Sequence, residues 1–215
     1  MASSVITAGS RDVLIIVDVQ RDFLPGGALA VPRGDEVAPV INRLAVKFEH
    51  YLLTQDWHPA GHSSFASSHK GAKPFDVTQA FYGKQVLWPD HCVAGTAGAL
   101  FAENLDTPRA ELVIRKGYNP ELDSYSAFFE NDRKTPTGLG GYLKERGFRR
   151  IFLAGLATDF CVFYSAIDGR RLGFEVLLVE DGCRGIDAGG SLAASMAEMN
   201  SAGVVKIDSA RVEME

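Results

Sequence analysis

One stretch of the sequence decides the fold: Arg150-Ile-Phe-Leu-Ala-Gly-Leu-Ala-Thr-Asp-Phe-Cys161. Its apolar first part predicts a buried strand over residues 150–154, because a run of apolar residues ends there at Gly155. From Asp159 onward the apolar residues recur at helical spacing until Gly173 ends the pattern. A strand that leads directly into a helix is the repeating unit of an α/β protein.

The same unit recurs along the rest of the chain. Further strands are predicted over residues 13–17, 51–54, 112–115, 174–179 and 204–207, and further helices over 35–48, 137–146 and 187–200. Asp35 is the expected cap of the first helix. The alternation predicts an α/β fold with three layers: a doubly wound, mostly parallel sheet with helices on both faces. Residues 59–92 lack a clear period, which is typical of a functional loop or lid.

The length and composition suit one folded unit. With 215 residues, of which 46% are hydrophobic, the chain can bury a substantial core. We therefore expect a single domain over residues 11–215. Residues 1–10 are small and polar, and we expect them to form a frayed tail.

The charge and cysteine content narrow the possible partners. The net charge is −5 and the basic residues do not cluster, so the sequence predicts no nucleic-acid partner. No apolar run approaches the roughly 18 residues of a membrane span, and the N-terminus does not resemble a signal peptide. The 3 cysteines are an odd number without a regular framework. We expect a cytoplasmic protein with free thiols and a small-molecule partner.

Cys161 is the candidate nucleophile. It falls in the first turn of the predicted helix, where unpaired N–H groups and the positive end of the helix dipole favour a thiolate. The same N–H groups could bind an oxyanion. The alternative is a buried cysteine that packs as a small hydrophobic side chain. Position alone leaves both interpretations open.

Reactive side chains also follow the other predicted strands. Asp18, Asp56 and Lys116 each fall at the carboxyl end of one of them. Each alone would most often be a solvated turn residue. In an open α/β sheet, however, ligands bind beyond the carboxyl ends of the strands, so together with Cys161 these residues predict one crevice. If the chain is still extended after Asp56, His58 projects to the same side, which predicts two metal ligands facing one point.

Several short motifs resemble one known family. In chain order they are Asp18-Val-Gln20 with Asp22-Phe23, Asp56-Trp-His58, Pro89-Asp-His-Cys92, Lys116-Gly117 and Gly155-Leu-Ala-Thr-Asp-Phe-Cys-Val162. Together they resemble the nicotinamidases, a family of isochorismatase-like cysteine hydrolases, and the resemblance covers about residues 13–205. One departure is Arg21, where the family usually has Asn; it leaves the neighbouring Asp22 and Phe23 in place.

The resemblance implies a catalytic set. Asp18, Lys116 and Cys161 would form the triad, with Asp18 accepting the thiol proton and Lys116 orienting Asp18 and favouring the thiolate. The backbone N–H groups of Ala157 and Cys161 would form the oxyanion hole. The resemblance also implies a cis peptide bond between Leu156 and Ala157.

The resemblance further implies a metal site. Asp56, His58 and His91 match the family's ligands, and one carboxylate with two imidazoles suits one divalent transition metal: zinc first, with iron or manganese as alternatives. The metal would act as a template. His62 is expected either behind these ligands or linked to the ion through water.

The implied substrate is nicotinamide, hydrolysed to nicotinate and ammonia through a thioester, with pyrazinamide as an expected second substrate. Phe23, Trp88 and Tyr125 resemble the aromatic residues that enclose the pyridine ring, although each could simply pack. A homo-oligomer is compatible with the sequence. Two alternatives stay open: another hydrolase of the superfamily, such as an N-carbamoyl amidohydrolase or an isochorismatase, and a non-catalytic small-molecule binding domain.

Overall fold

A parallel sheet forms the centre of the structure, a computed structural model that describes residues 5–215. The strands are β1 Ile6–Ala8, β2 Asp12–Val17, β3 Tyr51–Asp56, β4 Val77–Ala80, β5 Gly83–Val86, β6 Val113–Lys116, β7 Arg150–Leu156, β8 Glu175–Arg184, β9 Val205–Ile207 and β10 Val212–Met214. Within the described residues, six of them pair in the order β6-β3-β2-β7-β8-β9, and every pairing is parallel.

Helices cover both faces of this sheet. They are α1 Val37–Ala45, α2 Leu139–Glu145, α3 Phe163–Arg171 and α4 Ser191–Ser201. Successive residues of a strand point to opposite faces, so β2 sends Leu14 and Ile16 into the core under α1 and its other apolar residues into the core under α2, α3 and α4. The predicted three-layer α/β fold is confirmed. No helix in residues 5–215 is long and apolar enough to cross a membrane.

The structure corrects three local predictions. Asp35 lies in a short 3-10 turn over residues 34–36, and its side chain does not cap α1, which begins at Val37. The segment 59–92 is not only loop, because it contains the antiparallel hairpin of β4 and β5. The helix expected from Asp159 begins as a wider turn over Thr158–Val162 before α3.

The prediction of a frayed tail is wrong for residues 6–8; residues 1–4 lie outside the described part. Strand β1 pairs in parallel with β10, which joins the two ends of the chain. Arg150 Nη2 also donates to the carbonyl oxygen of Thr7, at 2.7 Å. The sequence pattern did not predict β1, because a strand of three residues is too short to show a hydrophobic period.

Gly155 permits the closest approach between two central strands. It lies on β7 opposite Val17 of β2, with a φ of +129°, and an added Cβ would come within 2.0 Å of the Val17 carbonyl oxygen. Any other residue would force the backbones of β2 and β7 apart. Because Asp18 and the Cys161 turn follow these strands directly, this contact also sets the spacing of the candidate site.

We expect Gly155→Ala to lower the free energy of unfolding by about 3 kcal/mol or more, through both the clash and the unfavourable φ. Gly141→Ala is the matched control, since Gly141 lies in α2 with nothing within 4 Å of its added Cβ. There the change should be neutral or stabilising by up to about 1 kcal/mol. Urea unfolding of both variants measures this, and equal effects would contradict the role given to Gly155.

Candidate active site

Four adjacent strands bring reactive groups to one edge of the sheet. Asp18 directly follows β2, Asp56 ends β3, Lys116 ends β6, and the turn after β7 carries Cys161. These strands are neighbours in the order β6-β3-β2-β7, so their carboxyl ends lie side by side. The crevice predicted from the strand ends is present, and all four side chains are buried.

Lys116 lies at the centre of this group. Its Nζ is 2.7 Å from Asp18 Oδ2 and 3.3 Å from Cys161 Sγ, and it forms a second ion pair with Asp56. It also donates to the carbonyl oxygen of Ser124, at 3.1 Å. A buried ammonium therefore contacts both carboxylates and the thiol at once. The sequence predicted the Asp18, Lys116 and Cys161 grouping but not the contact between Lys116 and Asp56.

Thr54 fixes the orientation of Asp18. The Thr54 hydroxyl donates to Asp18 Oδ1 at 2.6 Å and accepts from the Asp18 backbone N–H at 3.2 Å. Asp18 itself has a φ of +48°, unusual for a residue with a Cβ, so the backbone turns sharply as it leaves β2. Its other carboxylate oxygen, Oδ2, is left to face Lys116.

Burial sets the protonation of the thiol. It raises the pKa of Cys161 well above the usual value of a cysteine, although the charge of Lys116 opposes the shift. Burial also raises the pKa of Asp18, again against Lys116. Burial would lower the pKa of Lys116, but the carboxylates of Asp18 and Asp56 hold it well above its usual value. Burial of Cys161 therefore opposes the thiolate that its position in the first turn was expected to favour.

The turn that carries Cys161 is wider than an ordinary helical turn. The N–H of Val162 donates to the carbonyl oxygen of Ala157, five residues earlier, at 3.1 Å. The Leu156–Ala157 peptide bond is cis, which confirms the geometry that the family resemblance implied. Ala157 and Cys161 both line the cavity described below.

Asp56, His58 and His91 form a candidate metal site. Asp56 Oδ2 lies 3.6 Å from His58 Nε2 and 3.8 Å from His91 Nε2, and the three side chains are buried. Nδ1 of His58 lies 2.9 Å from the Gly117 carbonyl oxygen, and Nδ1 of His91 lies 2.8 Å from the Pro89 carbonyl oxygen. Both imidazoles thus present Nε2 to the carboxylate, an arrangement that fits a divalent transition metal.

A small cavity lies between the thiol and these three side chains. Its volume is about 330 Å³ including the open mouth. Phe23, Trp88 and Tyr125, predicted as substrate contacts, all line it. A small aromatic pocket with the Cys161 thiol on one wall suits a small planar ligand.

Comparison with known proteins identifies the family. The Isochorismatase domain model matches residues 12–211. The chain belongs to the isochorismatase family. It is 51% identical to the nicotinamidase of Acinetobacter baylyi over 199 residues, which cover 93% of each chain. The resemblance seen in the sequence is confirmed.

Solved structures of the isochorismatase family superpose closely on this chain. The nicotinamidase/pyrazinamidase of Acinetobacter baumannii gives a TM-score of 0.93 with 50% identity, covering 94% of this chain and 98% of that one. The pyrazinamidase of Pyrococcus horikoshii, solved in complex with zinc, gives 0.76 with 34% identity, covering 92% and 99%.

His62 lies against the candidate metal site without presenting a free nitrogen to it. Its ring centroid is 4.6 Å from that of His58. Its Nδ1 is 2.7 Å from the Ser64 hydroxyl, and its Nε2 is 2.7 Å from the Asn119 carbonyl oxygen. Its nitrogens are also close enough to His58 and Asp123 to form an alternative group of potential ligands. The structure therefore places it beside His58, next to the three expected ligands.

Several cavity residues were missed by sequence reasoning. Leu29, Asp123, Phe160 and Ile186 also line the cavity. Phe160 belongs to the apolar pattern of the predicted helix, which indicates core packing, and the others come from segments without a period. Gln20 belongs to the motif around Asp18, but the sequence did not predict a role for it. The Gln20 side chain accepts from the backbone N–H of Asp56 and donates to the Asp56 carbonyl oxygen, each at 2.8 Å.

We expect Lys116→Met to lower the free energy of unfolding of metal-free protein by about 3–5 kcal/mol, because it leaves two buried carboxylates without their cation. Lys144→Met, on the exposed side of α2, is the control and should change stability by less than about 0.5 kcal/mol. Urea unfolding in the presence of a chelator measures both. Similar effects of the two substitutions would show that Lys116 is not the cation on which the cluster depends.

Proposed function

We propose that this protein is a metal-dependent cysteine amidohydrolase that converts nicotinamide to nicotinate and ammonia, and that it also accepts pyrazinamide. The observation that carries the proposal is the contact of Lys116 with both Asp18 and Cys161, where Cys161 also lines a small aromatic cavity. The similarity to curated nicotinamidases supports the choice of substrate.

The reaction begins with proton transfer from Cys161 to Asp18. The sulfur then attacks the carboxamide carbon and forms a tetrahedral intermediate, whose oxyanion accepts hydrogen bonds from the backbone N–H groups of Ala157 and Cys161. When the C–N bond breaks, Asp18 returns its proton to the departing nitrogen, and ammonia leaves a thioester on Cys161. Water, deprotonated by Asp18, attacks the thioester and releases nicotinate and the free thiol.

Lys116 supports each of these steps by its charge. It keeps Asp18 oriented toward the sulfur and stabilises the thiolate as it forms. It also contacts the Ser124 carbonyl oxygen, so its ammonium cannot rotate away from the site without losing that hydrogen bond.

Asp56, His58 and His91 would hold a divalent metal, zinc first, with iron or manganese as alternatives. When bound, the metal would supply a Lewis-acidic anchor for the ring nitrogen of the substrate or for water. Phe23, Trp88 and Tyr125 would enclose the ring and present the carboxamide to Cys161.

We expect Cys161→Ala to reduce ammonia release from nicotinamide by at least about 1,000-fold, since no other side chain replaces the nucleophile. Cys183→Ala is the matched control: Cys183 is also buried, but it lies on β8 outside the cavity and should keep most of the activity. Equal rates of Cys161→Ala and wild type would exclude the cysteine mechanism. Binding of nicotinamide without turnover by wild type would favour the binding-domain alternative.

We expect purified wild-type protein to contain about one transition-metal ion per chain, and chelation to abolish ammonia release until zinc, iron or manganese is restored. Metal analysis of His91→Ala should show that the ion is lost, because the substitution removes one of the three expected ligands. His69→Ala is the control, since His69 bonds the Ser63 carbonyl oxygen away from the ligand group. A wild-type protein that is fully active without any bound metal would contradict the metal proposal and favour an N-carbamoyl amidohydrolase or another metal-independent relative.

A further inference from the structure

Gln85 is a buried polar residue outside the cavity and outside every motif of the sequence. It lies on β5, its exposed fraction is 1%, and its side chain contacts residues from three separate segments. Within residues 5–215, the hairpin that carries it pairs with no strand of the central sheet. A fully buried amide on a peripheral hairpin needs an explanation, because burying it is costly unless its hydrogen bonds are satisfied.

The donor side of the Gln85 amide faces two residues of the cavity wall. Nε2 is 2.9 Å from the Tyr125 hydroxyl and 2.8 Å from Asp123 Oδ2, and it also lies 2.7 Å from the Val86 carbonyl oxygen. The Tyr125 hydroxyl accepts a second hydrogen bond from Trp88 Nε1, at 3.0 Å. The amide therefore fixes Asp123 and Tyr125 directly, and Trp88 through Tyr125.

The acceptor side of the same amide is also occupied. Gln85 Oε1 accepts from the Tyr82 hydroxyl at 3.0 Å and from Asn131 Nδ2 at 3.2 Å. Asn131 in turn accepts from the backbone N–H of Tyr125, at 3.0 Å. Tyr125 is thus held at its backbone and at its hydroxyl by one connected network that has Gln85 at its centre.

We propose that Gln85 is a positioning residue for recognition of the substrate ring: it fixes the orientation of Tyr125 and Trp88, which form one wall of the cavity. This inference rests on the proposed function and names a residue that sets its specificity. Gln85 does not line the cavity itself, so it acts through the cavity residues that it holds: Tyr125 and Asp123 directly, and Trp88 through Tyr125.

A purely structural role for Gln85 makes a different prediction. Asp123 and Tyr125 flank Ser124, whose carbonyl oxygen accepts from Lys116. If Gln85 merely held this loop in place, its loss would displace Lys116 and lower kcat. If it orients the aromatic wall, its loss should weaken ring binding and leave the cysteine chemistry intact. The division of the effect between KM and kcat therefore separates the two roles.

The test compares Gln85→Met with Gln79→Met in the metal-loaded enzyme. Gln79 lies on the exposed side of the same hairpin, and its side chain bonds only the neighbouring Ala80 carbonyl oxygen. We expect Gln85→Met to raise the KM for nicotinamide about tenfold and the inhibition constant of nicotinate by a similar factor, with kcat changed less than about twofold. Gln79→Met should match wild type in all three.

Two further measurements keep the proposal testable if Gln85→Met folds poorly. Tyr125→Phe removes the hydroxyl that Gln85 contacts and should raise KM in the same way, and the double variant should add little to either single change, because both break one contact. The rate at which iodoacetamide alkylates Cys161, followed by peptide mass spectrometry, should not change in Gln85→Met, since this reagent has no ring to be recognised.

The outcomes separate this inference from the proposed function. Wild type that releases no ammonia from nicotinamide would overturn the proposed function. Wild type that turns over while Gln85→Met keeps the wild-type KM would overturn only the positioning role. A fall in kcat as large as the rise in KM, or slower alkylation of Cys161, would assign Gln85 to supporting the loop and would also overturn it.

Discussion

The charge of Lys116, buried among two carboxylates and a thiol, is the constraint on which the rest of the structure depends. Moving an ammonium out of water costs several kcal/mol unless partners surround it. Here Asp18, Asp56 and the Ser124 carbonyl oxygen provide them. These partners come from two strand ends and one loop, so the cation can be buried only if β6, β3 and β2 are neighbours in the sheet.

The same constraint explains why an aspartate suits the role of base. A buried site resists any net change of charge, because each new charge must be desolvated. In the proposed mechanism, proton transfer from Cys161 to Asp18 would move a negative charge from carboxylate to sulfur and create no additional charge. Lys116 contacts both groups, so it stabilises the charge before and after the transfer. In the proposed mechanism, burial raises the pKa of the Cys161 thiol, and the neighbouring Asp18 carboxylate would accept its proton.

The sequence predicted the parts of the site that lie on regular elements. Asp18, Asp56 and Lys116 could be found because each follows an apolar run, and the carboxyl ends of parallel strands meet at one edge. The hairpin with Gln85 could not, since two strands of four residues with partly exposed side chains show neither a buried run nor a clear alternation. Ile186 and Asp123 were missed for a related reason: their positions depend on hydrogen bonds between distant segments, which no local pattern records.

The two walls of the cavity are built on different principles. The reactive groups stand on strand ends that the sheet ladder holds, whereas the apolar wall comes from loops that buried polar side chains hold. Asp159 illustrates the second principle: its carboxylate accepts from the backbone N–H groups of Ile186 and Asp187, at 2.9 and 2.8 Å, and so brings Ile186 to the cavity. Gln85 holds Tyr125 at the cavity in the same way, through its hydrogen bond to the Tyr125 hydroxyl. A change in the contacts that hold these loops would alter the cavity without moving the strand ends. Under the proposed function, recognition of the substrate ring could therefore vary independently of the cysteine chemistry.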